Sequence, residues 1–141
     1  AAGLTLAIAP VAHHTRFDED RMQYMILIYN DPTREPTYGT PAFEEMMAGY
    51  FAANERMKAD GVLRGGEALQ GVETATSLRA DAGGKVDTMD GPFAETREHL
   101  GGYYIVDVPD REAAHFYASL IPSIRFGTIE VRPLMDYNPM G

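Results

Sequence analysis

The sequence predicts an α+β domain, with one antiparallel sheet covered by two helices. Three observations predict it. Short apolar runs, several alternating with a period of two, recur along the 141-residue chain, bounded by Gly, Pro, Asn and Asp. Two longer stretches instead repeat apolar residues every three or four positions, the helical period. Several strand-like runs lie between those two stretches, an order that differs from the strict alternation of a parallel α/β fold.

In chain order, residues 1–21 (AAGLTLAIAPVAHHTRFDEDR) precede the regular pattern. They hold a short apolar run over 4–11 without a basic start, and then acidic residues. They read as an N-terminal arm or extension outside the core. His13 and His14 are adjacent, so in an extended chain they point opposite ways and read as exposed arm residues. Residues 23–30 (QYMILIYN) form a buried strand that ends in turn residues. Asp31-Pro32, Glu35-Pro36 and Tyr38-Gly39 mark a loop. Thr40 is placed to cap a helix, with Pro41 at its first position and Glu44 and Glu45 near the positive end of its dipole. That helix runs to about residue 60. Phe43, Met46, Met47, Tyr50, Phe51 and Met57 define its apolar face, and Gly61 stops it.

Residues 62–69 (VLRGGEAL) read as a strand, with Gly65-Gly66 marking a bulge or a close backbone approach. Residues 74–80 and 85–89 form a hairpin across Asp81-Ala82-Gly83-Gly84. Residues 103–108 form the next strand. Asp110 caps a second helix over 111–120, and Pro122 ends it. Residues 127–133 (GTIEVRP) close the pattern, with 136–141 as a tail. The domain proper therefore spans 22–135. Strand, helix, strand, hairpin, strand, helix, strand is a ferredoxin-like split βαβ pattern with an inserted hairpin. Helices on one face leave the other face of the sheet open. Packing sheet on sheet in a two-fold homodimer is the usual solution.

Bulk properties exclude several classes of function. The formal net charge of −9 opposes nucleic-acid and anionic membrane partners. The absence of cysteine removes disulfides, thiol catalysis and thiolate metal sites, and fits a reducing, cytoplasmic setting. No run approaches the ~20 apolar residues of a membrane span. Four scattered histidines lack ligand spacing, so no metal is expected. No phosphate loop or nucleophile elbow is present, and no cofactor is expected.

The densest chemistry lies in residues 90–104 (DGPFAETREHLGGYY). Asp90-Gly91-Pro92 is a turn in which Gly91 takes angles closed to other residues and Pro92 fixes its own φ. Asp90 sits at a strand end, and Glu67 follows the glycine pair of another strand. If the two share a cavity, each raises the other's pKa, and one can hold a proton near neutrality. The structural alternative is a capped turn and a solvated glutamate. Arg97 could receive an anionic group through its planar fork, or form local ion pairs with Glu95 and Glu98. His99 has the pKa range of a general base but no partner visible in the sequence. Phe93, Tyr103 and Tyr104 supply aromatic area for a pocket, or for a core or dimer interface. Tyr50 could present its hydroxyl to a ligand from the first helix. His115, beside Phe116 and Tyr117, reads as structural or surface.

The run DGPFAETRE, with GGE upstream and IEVRP at the end, resembles the DGPF-motif branch of the YCII-related proteins over 22–134. The resemblance implies a ferredoxin-like fold of the dimeric α+β-barrel type and a homodimer with a cleft associated with the motif. It implies no established reaction. Members of the branch are often encoded beside genes for extracytoplasmic-function sigma factors. Some members of the wider superfamily pair a histidine on the first helix with an aspartate, and some relatives act on chlorinated aromatic rings. This chain has Tyr50 roughly where that imidazole would lie. It has Phe126 where branch members often carry a second histidine.

Three functions compete on these grounds. One is a small-molecule acid–base enzyme, such as a lyase, with Asp90 and Glu67 as its carboxylates and Tyr50, Phe93, Arg97 and Tyr103 contacting the ligand. The second is a non-catalytic ligand-binding or regulatory homodimer linked to sigma-factor signalling. The third is a purely structural interaction dimer. The first two require an open cleft; the third requires a motif packed solid.

Overall fold

The computed structural model describes residues 21–136. The expected arm, apart from Arg21 but including His13 and His14, and the expected tail beyond Asp136 lie outside the described residues. The elements are β1 (Met22–Asn30), α1 (Pro41–Ala59), β2 (Leu63–Ala68), β3 (Thr76–Ala80), β4 (Val86–Asp90), β5 (His99–Val108), α2 (Arg111–Ser119) and β6 (Gly127–Pro133). Short 3₁₀ turns occupy Val72–Thr74 and Pro122–Arg125. The main sheet has the order β2-β5-β1-β6, with every neighbouring pair antiparallel. This is the expected α+β, ferredoxin-like arrangement. β3 and β4 form a separate two-stranded sheet, the expected inserted hairpin.

The helix ends follow the chemistry of the sequence. Thr40 Oγ1 accepts from the Phe43 N–H, and Asp110 accepts from the Ala113 N–H. Gly61, with φ 71°, turns the chain out of α1. Alternate residues of the central strands build the core. Tyr24, Ile26 and Ile28 of β1 and Tyr104, Val106 and Val108 of β5 pack with Ala53 and Met57 of α1 and with Ala114, Tyr117 and Ala118 of α2. Both helices therefore cover one face. Burial of these side chains is the dominant stabilisation, about 1.5–3 kcal/mol for each large aliphatic residue. At the far end of α1, Tyr117 donates to Asp60, which also accepts from Arg56, so the two helices are tied by polar contacts as well.

Met25, Leu27 and Tyr29 alternate with the core residues of β1 and point to the opposite face. Their cross-strand neighbours Ile105 and Tyr103 join them there. These residues are only half-buried in the single chain. Among the described residues, no helix is long and apolar enough to cross a membrane.

Two expectations need correction. Met47 and Phe51 do not belong to the buried face of α1: Phe51 is 68% exposed, whereas Met57 is fully buried. The buried stripe runs through Ala53 and Met57, with Tyr50 packed against it, and Ala53 is too small to stand out in a hydropathy pattern. The strand expected over 103–108 begins earlier, at His99. Gly101 and Gly102 are part of it, and Gly101 is the extra residue where the β1–β5 register shifts between Ile28 and Tyr29.

Candidate functional site

The strand glycines hollow out the space under α1. Gly66 and Gly102 lie on neighbouring strands, next to residues paired with each other in the β2–β5 ladder. A Cβ on Gly102 would stand 2.7 Å from the Glu67 carbonyl oxygen, and one on Gly66 would stand 2.8 Å from the Tyr104 ring. The two strands thus approach closely at Gly102, and the Tyr104 ring lies over Gly66, where a larger residue would displace it. The result is a cavity of about 440 Å³ between α1 and the adjoining ends of β1, β2 and β5. It is of the size that takes small ligands.

Polar groups from four elements converge on this cavity. Tyr50 Oη and Ser123 Oγ are hydrogen-bonded at 2.5 Å. Asn54 donates to Tyr104 Oη at 3.2 Å. Asn30 Oδ1, at the end of β1, is buried and has no hydrogen-bond partner among the described residues. Glu35 adds a carboxylate, and Ile28, Met46 and Met47 add apolar wall. Burial pushes the Tyr50 phenol above its ordinary pKa; the bond to Ser123 opposes this and the nearby Glu35 charge adds to it. Burial likewise raises Tyr104, with Tyr50 adding to the shift and the bond from Asn54 opposing it. Both phenols are therefore protonated at neutral pH, so they can donate hydrogen bonds and cannot serve as bases.

Of the residues singled out from the sequence, Tyr50 presents its side chain to this cavity; Glu67 and Tyr103 border it but pair with each other on the opposite face of the sheet, and Asp90, Phe93 and Arg97 do not line it. Asp90 is exposed at the end of β4, opposite Thr76. Gly91, with φ 95°, makes the turn that follows; its N–H bonds to the Ala75 carbonyl, and its carbonyl accepts from Ser77. Phe93 is 69% exposed. Arg97 Nε reaches Asp31 Oδ2 at 3.1 Å, and His99 Nε2 lies 3.1 Å from the Thr96 carbonyl oxygen. The motif thus packs beside the cavity without lining it.

Asp31 is the buried carboxylate of this region, 1% exposed. Thr33 donates to it from both its backbone N–H and its hydroxyl, and these bonds hold its carboxyl below the usual range, with Arg97 contributing less. The Asp31 N–H also bonds to the carbonyl of Phe126. Asp31 therefore fixes the loop after β1, the motif and the start of β6 against one another.

Asn30, Glu35, Asn54 and Ser123 were not legible as site residues in the sequence. For Asn54 a signal exists: a polar side chain one helical turn beyond Tyr50, on the side of α1 that faces the protein. Ser123 lies 73 positions from its partner Tyr50, and no local pattern links them.

The YCII-related domain model matches residues 22–138 of the chain. An uncharacterized protein of Rhizobium meliloti (strain 1021) is 33% identical over 120 residues, covering 84% of this chain and 96% of that protein. With a family match over nearly the whole chain and a relative matched along nearly all of its own length, the chain belongs to the YCII-related domain family.

Proposed function

We propose that this protein binds a small organic molecule in the cavity under α1. The observation that carries the reading is a cavity of about 440 Å³ in which the hydrogen-bonded phenols of Tyr50 and Tyr104 and the side chains of Asn54 and Ser123 stand among apolar wall residues. Apolar wall with a few placed polar groups is the usual composition of such sites. Acid–base chemistry at this site would use Glu35 as base and the Tyr50 phenol as proton donor.

The non-catalytic reading has its own support, because Asp90, the acid the motif offers, lies outside the cavity. On that reading the ligand is bound and released unchanged. The sequence DGPFAETRE supports placing the chain in the DGPF-motif branch of the family. The half-buried face of Met25, Leu27, Tyr29, Tyr103 and Ile105 supports a homodimer that packs sheet on sheet.

A fragment screen by ligand-detected NMR tests the binding reading. It uses neutral, cationic and anionic aromatic fragments against the wild type and Ala68→Trp. Ala68 is exposed on the cavity wall, so the indole fills the mouth without entering the core. The expected result is a set of hits lost in the variant. Hits indifferent to Ala68→Trp, or no hits at all, would refute the assignment.

A further inference from the structure

Granting that the cavity under α1 is a ligand site, we propose that it receives the carbonyl oxygen of a neutral organic molecule, with the Tyr104 hydroxyl and the Tyr50–Ser123 hydroxyl pair as its hydrogen-bond donors. The first support is the count of hydroxyl protons. Asn54 donates to Tyr104 Oη at 3.2 Å, so the Tyr104 proton is turned away from that amide. No acceptor among the described residues takes it. Tyr104 is nine-tenths buried, and the cavity is the space that it and its Asn54 partner both line. Tyr50 Oη and Ser123 Oγ share one hydrogen bond at 2.5 Å, and whichever of them donates it, the other keeps its proton. Two hydroxyl protons are thus left over in one lining. The two phenols stand close enough for Tyr50 to add to the upward shift of Tyr104, and burial keeps both protonated at neutral pH.

The second support is the charge of the lining. No Lys, Arg or His lines the cavity. Glu67 turns its side chain to the opposite face of the sheet with Tyr103, which leaves Glu35 as the carboxylate of the lining, near enough to Tyr50 to raise its pKa. A carboxylate or phosphate entering here would leave water to meet Glu35 with no counter-ion. An ammonium group would find one acid, but it brings donors alone to a pair of leftover donors. A carbonyl oxygen carries two lone pairs, no net charge and no proton of its own to place, so it matches two hydroxyl donors. Ile28, Met46 and Met47 supply the apolar wall for the hydrocarbon body of such a molecule.

The test uses benzylacetone, isotopically labelled at its carbonyl carbon, with phenethylamine and hydrocinnamate as a cation and an anion of similar shape. Each is titrated into the full chain at neutral pH and followed by NMR shifts of Asn54, Gly102 and Tyr104. The ketone should bind more tightly than either ion. Its carbonyl carbon should resonate at or downfield of its position in water, because two hydroxyls hold the oxygen. In Tyr104→Phe, with a thermal melt confirming the fold, that resonance should move upfield. The affinity should fall about threefold to tenfold, the worth of one hydrogen bond between neutral groups. A carbonyl resonance at its hydrocarbon-solvent position, one that Tyr104→Phe leaves in place, or a preference for either ion overturns the carbonyl assignment while the cavity stands as a binding site. Should Tyr104→Phe fail to fold, the resonance in the wild type and the ranking of the three probes decide alone. Failure of all three probes to shift these residues at about 10 mM, where fragments of this size register, overturns the carbonyl assignment and the binding reading together.

Discussion

Arg97 Nε sits 3.1 Å from Asp31 Oδ2, which ties the motif loop to the residue that follows β1. Asp31 is buried, whereas the Arg97 side chain is 81% exposed, so the pair is fixed at its acidic end. The Thr33 bonds do most to depress the Asp31 pKa. A carboxyl whose folded pKa lies below its unfolded value stabilises the fold above the unfolded pKa. That contribution fades as pH falls through the folded pKa. Asp31→Asn should therefore melt below the wild type at pH 7, and the gap should narrow as pH falls below the ordinary carboxylate pKa of about 4. Asp60, held low chiefly by the Tyr117 hydroxyl, titrates in the same window in both proteins and cancels in the comparison. Thermal melts of the two proteins across pH 2.5–7 give the answer; a gap independent of pH would contradict this role.

The corrected face of α1 makes opposite predictions for two residues of similar hydrophobicity. Met57→Ala empties a fully buried position and should cost about 2–5 kcal/mol. Phe51→Ala removes a mostly exposed ring and should stay within about 0.5 kcal/mol in the isolated chain. Urea denaturation of both variants measures this directly.

Gly102→Ala places a methyl group 2.7 Å from the Glu67 carbonyl and 3.2 Å from Ala68 Cα. Both neighbours are backbone, so β2 must shift rather than a side chain swing away. A loss of about 1–3 kcal/mol is expected, the usual cost of overpacking. Exchange protection of the β2 amides should fall in the same variant, which hydrogen-exchange mass spectrometry would register.

The open sheet face yields a test of assembly. Leu27 is flanked on it by Tyr103 and Glu130, its cross-strand neighbours. Leu27→Glu puts a second carboxylate beside Glu130, so a sheet-on-sheet dimer should dissociate to monomer while the core on the other face is untouched. Sedimentation velocity of wild type and variant should show a dimer and a monomer respectively. A monomeric wild type, or a variant that remains dimeric, contradicts this mode of assembly.

The fold was legible because its signals are local. The Thr40 and Asp110 caps, the stop at Gly61 and the alternation in β1 each follow from a few adjacent residues. The inner face of α1 was harder. Its apolar residues wrap too far around the helix for periodicity to choose between Met47 with Phe51 and Ala53 with Met57; the sheet makes that choice. The cavity was least legible, because it consists of missing side chains. Gly66 and Gly102 become neighbours only when β2 pairs with β5, and Tyr50 meets Ser123 only when the turn after α2 returns to α1. The motif is dense in titratable residues, yet its Arg97 serves the Asp31 anchor and its Phe93 faces solvent. A conspicuous sequence motif can mark a scaffold beside a site as readily as the site itself.

The most direct measurement of the central claim is chemical-shift mapping of the fragment hits on the backbone-assigned protein. The account predicts perturbations concentrated at Ile28, Asn30, Tyr50, Asn54, Gly102 and Ser123, which line the cavity. Perturbations confined to residues 90–97, with the cavity residues unmoved, would contradict it and return the binding site to the motif.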